Sequence, residues 1–159
     1  MHKWFAIVAI GVLVVGVSAC GGASKTAPRR GSTSGSNTSA ASALTTSAEA
    51  ICAKRNNAIA AVSSGVGSEK SIKHIARERA AVEQSALEEL SRLTAPASLE
   101  PNWRTFIAYR RTLIQDWTRL VKEGLSDGYG TALTAAAQTQ SNMLAVAKRI
   151  GFVACTQTN

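Results

Sequence analysis

Trp103-Arg104-Thr105-Phe106-Ile107-Ala108-Tyr109-Arg110-Arg111-Thr112-Leu113-Ile114-Gln115-Asp116-Trp117-Thr118-Arg119-Leu120-Val121 carries the strongest apolar period in the chain. At 100° per residue, Trp103, Phe106, Ile107, Leu113, Ile114, Trp117, Leu120 and Val121 fall on one broad face. Pro101 stands where a first helical turn tolerates it, and Gly124 follows the last apolar residue. The stretch is therefore a helix that starts near Ser98 to Pro101. Strand-type alternation is absent around it, so the fold class is all-α.

Working outward, the segment before it repeats the pattern. Ile72, Ile75, Val82, Ala86, Leu90 and Leu93 predict a helix from about Glu69 to Thr94, capped by Ser68 and stopped by Ala95-Pro96. The segment after it, about Thr131 to Gly151, places Leu133, Ala136, Ala137, Met143, Leu144, Ala147 and Ile150 inward. Its many alanines allow close packing. A first helix is expected from about Ser47 to Ser64, with Thr46 and Glu49 at capping-box spacing and Ile51, Ala58, Ile59 and Val62 on its apolar side. Gly65 and Gly67 end it. Short connections favour antiparallel neighbours, so residues 47–159 are expected to form one antiparallel up-down-up-down four-helix bundle.

The N-terminal residues follow a different logic. One cation, Lys3, precedes an uninterrupted apolar run from Trp4 to Val17. The run is short for a membrane span and suits the core of an export signal. Val17-Ser18-Ala19-Cys20 closes it, and this resembles the lipobox of bacterial lipoproteins. The resemblance implies that residues 1–19 are a signal peptide and that Cys20 becomes the lipidated N-terminus. It also implies that the protein is extracytoplasmic and held on the bacterial cell membrane. A plain secretory signal, which also ends in small residues, is the competing reading. Residues 21–46 are mostly Ser, Thr, Gly, Ala and Asn, with Lys25, Arg29 and Arg30. They show no apolar period, so a disordered tether is expected, with a reach of about 25 to 30 Å. Its cations either lie against anionic lipid or serve as solubilising charge.

With Cys20 assigned to lipid, Cys52 and Cys155 remain. An even pair in an oxidising compartment is expected to form a disulfide. A two-cysteine metal or redox site is the alternative, but no Cys-x-x-Cys or neighbouring His supports it. The bond would close a loop of roughly 100 residues, contributing about 4 to 5 kcal/mol on a chain-entropy argument. In the expected topology the start of helix one and the end of helix four share one end of the bundle, which brings the two cysteines together. Ile51-Cys52-Ala53-Lys54, Leu93-Thr94-Ala95-Pro96 and Gly151-Phe152-Val153-Ala154-Cys155 resemble segments of small exported helical lipoproteins of high-GC Gram-positive bacteria. That resemblance implies the fold and supplies no activity.

Polar residues interrupt the apolar faces. Arg110 lies in the middle of the face of helix three, Arg79 and Glu83 within that of helix two, and Gln140 in that of helix four. Arg55 intrudes on helix one. Glu83 and Arg110 lie 14 and 13 residues on either side of a turn near residue 97, so they should be level. Gln140 is 11 residues from the end of helix four, at a similar height. A buried or half-buried layer of Glu83, Arg110 and Gln140 is expected, with Arg79 one turn further up. Such a layer fixes the register of the helices, or it contacts an anionic small molecule through Arg110 and Arg79. A second candidate is an apolar patch of Ile72, Ile75, Trp117, Leu120 and Leu133 at the end away from the tether. There the short first helix would leave three helices uncovered, unless Val66 and the loop containing Tyr129 close over them.

The chain carries a formal charge of +8, and residues 47–159 carry +4. Its cations interleave with acids along the helices and its aromatics are few, so no nucleic-acid partner is expected. His74 with Glu78 supplies two metal-ligand types at helical spacing, fewer than a zinc site takes. No serine has an evident His–acid pair, and Gly128-Tyr129-Gly130 is too short for a phosphate loop. No enzyme, metal or cofactor is expected. The functional expectation is a membrane-anchored lipoprotein whose domain contacts an envelope protein. The alternative is a lipoprotein that binds a small molecule at the Arg110 layer or in an apolar pocket near Trp117.

Overall fold

The structure is a computed structural model and describes residues 34–62 and 69–157. Within them the chain forms α1 (Ser34–Ala61), α2 (Glu69–Leu90), α3 (Glu100–Glu123) and α4 (Tyr129–Ile150), then a closing 3-10 turn, Ala154–Thr156. No strand occurs among the described residues. The expected signal peptide 1–19, the lipidated Cys20, residues 21–33 of the tether and Val66 lie outside them.

α3 is the central element and packs against both α2 and α4. It buries Trp103, Phe106, Ile107, Arg110, Leu113, Asp116 and Leu120. These recur every three or four residues, so one side of the helix is continuously covered. Phe106 and Leu113 are essentially solvent-free, each worth about 1.5 to 3 kcal/mol of removed apolar surface. The turn before α3 is seeded by Pro96, whose carbonyl accepts from the N–H groups of Leu99 and Glu100 at 2.9 and 3.0 Å. α2 ends at Leu90, short of the expected Thr94, in a separate turn at Ser91 and Arg92, where the Arg92 and Leu93 N–H groups reach back only three residues, to Glu89 and Leu90.

α4 ends in a left-handed cap. Gly151 has φ +94°, which a side chain disfavours. Its N–H reaches the carbonyls of Ala147 and Lys148, both at 3.1 Å, and the Phe152 N–H reaches Ala147 at 3.0 Å. This reversal turns Phe152 back into the core, where its ring meets Phe106 at 5.5 Å and Trp103 at 6.2 Å, edge to face.

Two sequence expectations are corrected by the fold. Residues 34–46, read as tether, are the first part of α1. Leu44, Ala48, Cys52, Arg55 and Ile59 lie four, four, three and four residues apart and are all buried, so the core begins before residue 47. Ala40, Ala41 and Ala43 favour helix intrinsically and supply no apolar stripe that a periodicity reading would detect. Glu49 does not close a capping box with Thr46, since both now lie inside the helix. Its carboxylate instead accepts from the N–H groups of Val153 and Ala154, the latter at 2.5 Å. The second correction concerns α4. Leu133 and Ala137 are exposed, whereas Ala132, Ala136, Thr139, Met143, Val146, Ala147 and Ile150 are buried.

α1 packs against α2 and against the closing turn, and among the described residues makes no close backbone contact with α3 or α4. Cys52 and Cys155 form a disulfide with their Cα atoms 5.0 Å apart. Asn56 donates to the carbonyl of Ala154 at 2.8 Å beside it. No described helix is long and apolar enough to cross a membrane.

Candidate functional site: a buried arginine–glutamate cluster

Three helices each send one charged side chain to the same buried point. Glu83 of α2 and Arg110 of α3 have no solvent exposure, and Arg55 of α1 has 6%. Arg110 Nη1 donates to Glu83 Oε2 at 2.7 Å. Arg55 donates to the other oxygen, Oε1, through Nε at 2.9 Å and also through Nη2. Both oxygens of one carboxylate are therefore taken, each by a different guanidinium. Arg55 Nη1 completes its set on Asn56 Oδ1 at 2.9 Å. The Arg110 guanidinium also lies over the Phe106 ring, 5.0 Å from its centre.

Two Arg110 nitrogens lack a carboxylate. Nη2 donates to Cys52 Sγ at 3.3 Å, and the buried Nε has no hydrogen-bond partner. Burial lowers the Arg110 pKa below its ordinary value; Glu83 opposes this shift and Arg55 adds to it. Arg79, half-buried on α2, is also lowered, first by burial and then by Arg55. Its guanidinium lies over the Trp117 ring at 5.3 Å. Guanidinium groups stay protonated at neutral pH, so the cost of burying them is present across the physiological range.

Glu83 and Arg110 meet at one height, and Arg79 lies one turn above Glu83. Gln140 does not join them: it is half-buried and makes no hydrogen bond to either. Its neighbour Thr139 faces inward instead and donates to the buried Asp116 at 2.7 Å. The inward stripe of α4 keeps Ala136, Met143, Ala147 and Ile150 but is flanked by Ala132, Thr139 and Val146 on one side, so Leu133, Ala137 and Gln140 fall away from its centre. Arg55 is the member whose role the sequence reading missed. Its signal was present, because it continues the Cys52–Ile59 stripe one turn on from Cys52.

The distal apolar patch does not assemble as expected. Leu120 belongs to the core, Trp117 is half-buried beneath Arg79, and Leu133 stands outside with 42% exposure. Ile72 and Ile75 are half-buried. His74 and Glu78 are exposed, and no three metal-ligating side chains gather among the described residues. Two clefts lie near the cluster. One, of about 110 Å³, runs between α1 and α2 over Ile51, Ala58, Val82 and Ala86, with the exposed Lys54–Glu89 pair at its rim. The other, of about 420 Å³, lies beside the turn between α2 and α3 and is lined by Leu93, Trp103, Ile107, Arg104 and Arg111.

The chain matches no protein-family model, no curated protein and no solved structure.

Proposed function

We propose that the protein is a lipid-anchored extracytoplasmic lipoprotein, tethered through Cys20, whose helical domain engages another protein of the cell envelope without turning over a substrate. The observation that carries this reading is that the fold itself occupies the buried carboxylate. Both Glu83 oxygens are occupied by Arg55 and Arg110, and Arg79 is stacked on Trp117, so the charged layer serves the fold and recognition falls to the outer surface. The helices run up-down-up-down. Supporting that order, Glu83 meets Arg110 across a turn near residue 97, and Thr139 meets Asp116 across a turn near residue 127. In this reading the Ser34 end of α1, rather than the Cys52–Cys155 bond, faces the membrane. Exposed Leu125 and Leu133 mark the distal end, where the partner is met.

A second reading keeps one specific observation. The cleft at the turn between α2 and α3 combines Trp103 and Ile107 with Arg111 and the Arg104–Glu100 ion pair, an apolar wall whose rim carries one net positive charge and suits an anionic amphiphile. Native mass spectrometry of the chain released from the membrane of its producing cell separates the two. A bare lipidated monomer is expected, and Cys20→Ser should move the protein out of the membrane fraction. A stoichiometric small molecule lost on denaturation, and lost in Arg111→Ala, would replace the first reading with the second. Retention of the Cys20→Ser chain in the membrane at mature size would remove the anchor.

A further inference from the structure

The buried cluster is short of negative charge. Glu83 is one carboxylate against Arg55 and Arg110, and the other buried carboxylate among the described residues, Asp116, is engaged by Thr139 instead. The buried residues of α4 include no charged side chain, and those of the closing turn contribute only Cys155. One positive charge therefore stays uncompensated in a site where it is poorly solvated. The unsatisfied capacity has a direction. Arg110 Nη2 points at Cys52 Sγ, 3.3 Å away. A disulfide sulfur is a weak, neutral acceptor, whereas a thiolate at the same place would supply the missing charge.

We infer that the Cys52–Cys155 bond is a thiol–disulfide exchange site, in which Cys155 is the sulfur attacked by a dithiol reductant and Cys52 leaves as a thiolate held by Arg110. The two sulfurs have unequal settings. Cys52 lies inside α1 with no solvent exposure. Cys155 is buried as well, at 2%, but lies on a three-residue turn beyond the end of α4 rather than inside a helix. That turn is held by the Glu49 carboxylate at Val153 and Ala154 and by Asn56 at Ala154. The reductant reaches Cys155 when those few bonds, which belong to the turn and to no helix ladder, are released.

The reaction balances. A thiolate of the incoming dithiol attacks Cys155 Sγ, and the sulfur–sulfur bond breaks. Its electron pair departs on Cys52 Sγ, which accepts from Arg110 Nη2. The second thiol of the reductant then attacks the mixed disulfide after losing its proton to water. Cys155 is released and takes up a proton. Two electrons have passed to the protein, and the dithiol has become a disulfide. Because Arg110 stabilises the reduced form, this bond is more readily reduced than one without a cation at its leaving sulfur.

The test uses the full chain in detergent, carrying Cys20→Ser so that Cys52 and Cys155 are its only thiols. Limiting glutathione, followed by acid quench and peptide mapping, should place the adduct on Cys155 and leave Cys52 free. Equilibration against dithiothreitol should show Arg110→Met to be about tenfold harder to reduce than the parent, a shift of about 30 mV for two electrons. The Arg110→Met chain retains a one-to-one Arg55–Glu83 pair, so its oxidised form should keep the parent's circular dichroism spectrum. An adduct on Cys52 overturns the inference. So does an unchanged equilibrium in a folded Arg110→Met chain, or a bond that yields to neither reagent until the protein unfolds. Should Arg110→Met fail to fold, the adduct position in the unsubstituted cluster decides.

Discussion

α3 and α1 meet where Arg110 touches Cys52, yet different forces hold them. α3 is held by area: Trp103, Phe106, Ile107, Leu113 and Leu120 are buried along its length, against neighbours on two sides. α1 buries fewer large side chains and is held at points. Arg55 reaches Glu83, Asn56 and Glu49 reach the closing turn, and Cys52 is covalently joined to Cys155. Area is non-directional and tolerates small shifts, whereas a buried ion pair or a disulfide fixes one register. The pair of helices shows why a domain with little apolar sequence in one element still sets that element uniquely.

Three single substitutions and one triple variant probe this contrast, beginning with the largest effect. Glu83→Leu leaves two buried guanidinium groups without their carboxylate and should cost about 3 to 5 kcal/mol in urea unfolding. The triple variant Arg55→Met, Glu83→Leu, Arg110→Met should recover that loss or exceed the parent, because it removes the desolvation cost with the pairing. A triple variant no better than Glu83→Leu would show that α1 depends on packing, as α3 does. Next, Leu113→Ala should cost about 3 kcal/mol, with hydrogen exchange accelerating in α2, α3 and α4 together. If only α3 loosened, the shared-core picture of these helices would fail. Smallest, Glu49→Ala should cost about 1 to 2 kcal/mol through two unpaired N–H groups, and faster exchange should be confined to residues 153–156. A loss spread over α4 would mean that the closing turn supports that helix as well.

The same contrast explains what the sequence made legible. α2, α3 and α4 were readable because large apolar residues recur at helical spacing, and Pro96, Gly124 and Gly151 punctuate them. The meeting of Glu83 and Arg110 follows from counting residues about one turn. The first part of α1 was not readable, because a helix of Ala, Ser and Thr with only Leu44 and Ala48 turned inward has the composition of a linker. Gln140 was misplaced for a related reason. Ala135, Ala136 and Ala137 give three adjacent positions of equal size, so the sequence leaves the helix phase open by one residue. Packing then chose Thr139, whose hydroxyl satisfies Asp116. Arg55 was legible as an intrusion on α1 but not as the second partner of Glu83, since that depends on how α1 lies across α2.

The bond between Cys52 and Cys155 also has a mechanical meaning. It spans 103 residues of sequence and joins the middle of α1 to a point close to the last described residue. A pull applied to the two ends of the described chain is carried from one sulfur to the other, and residues 53–154 lie outside the line of tension. Only the segments beyond the bond can lengthen, by about 3.4 Å per residue. The first part of α1, residues 34–51, bears that load, while the rest of the helices and the Arg55–Glu83–Arg110 cluster inside the loop feel none.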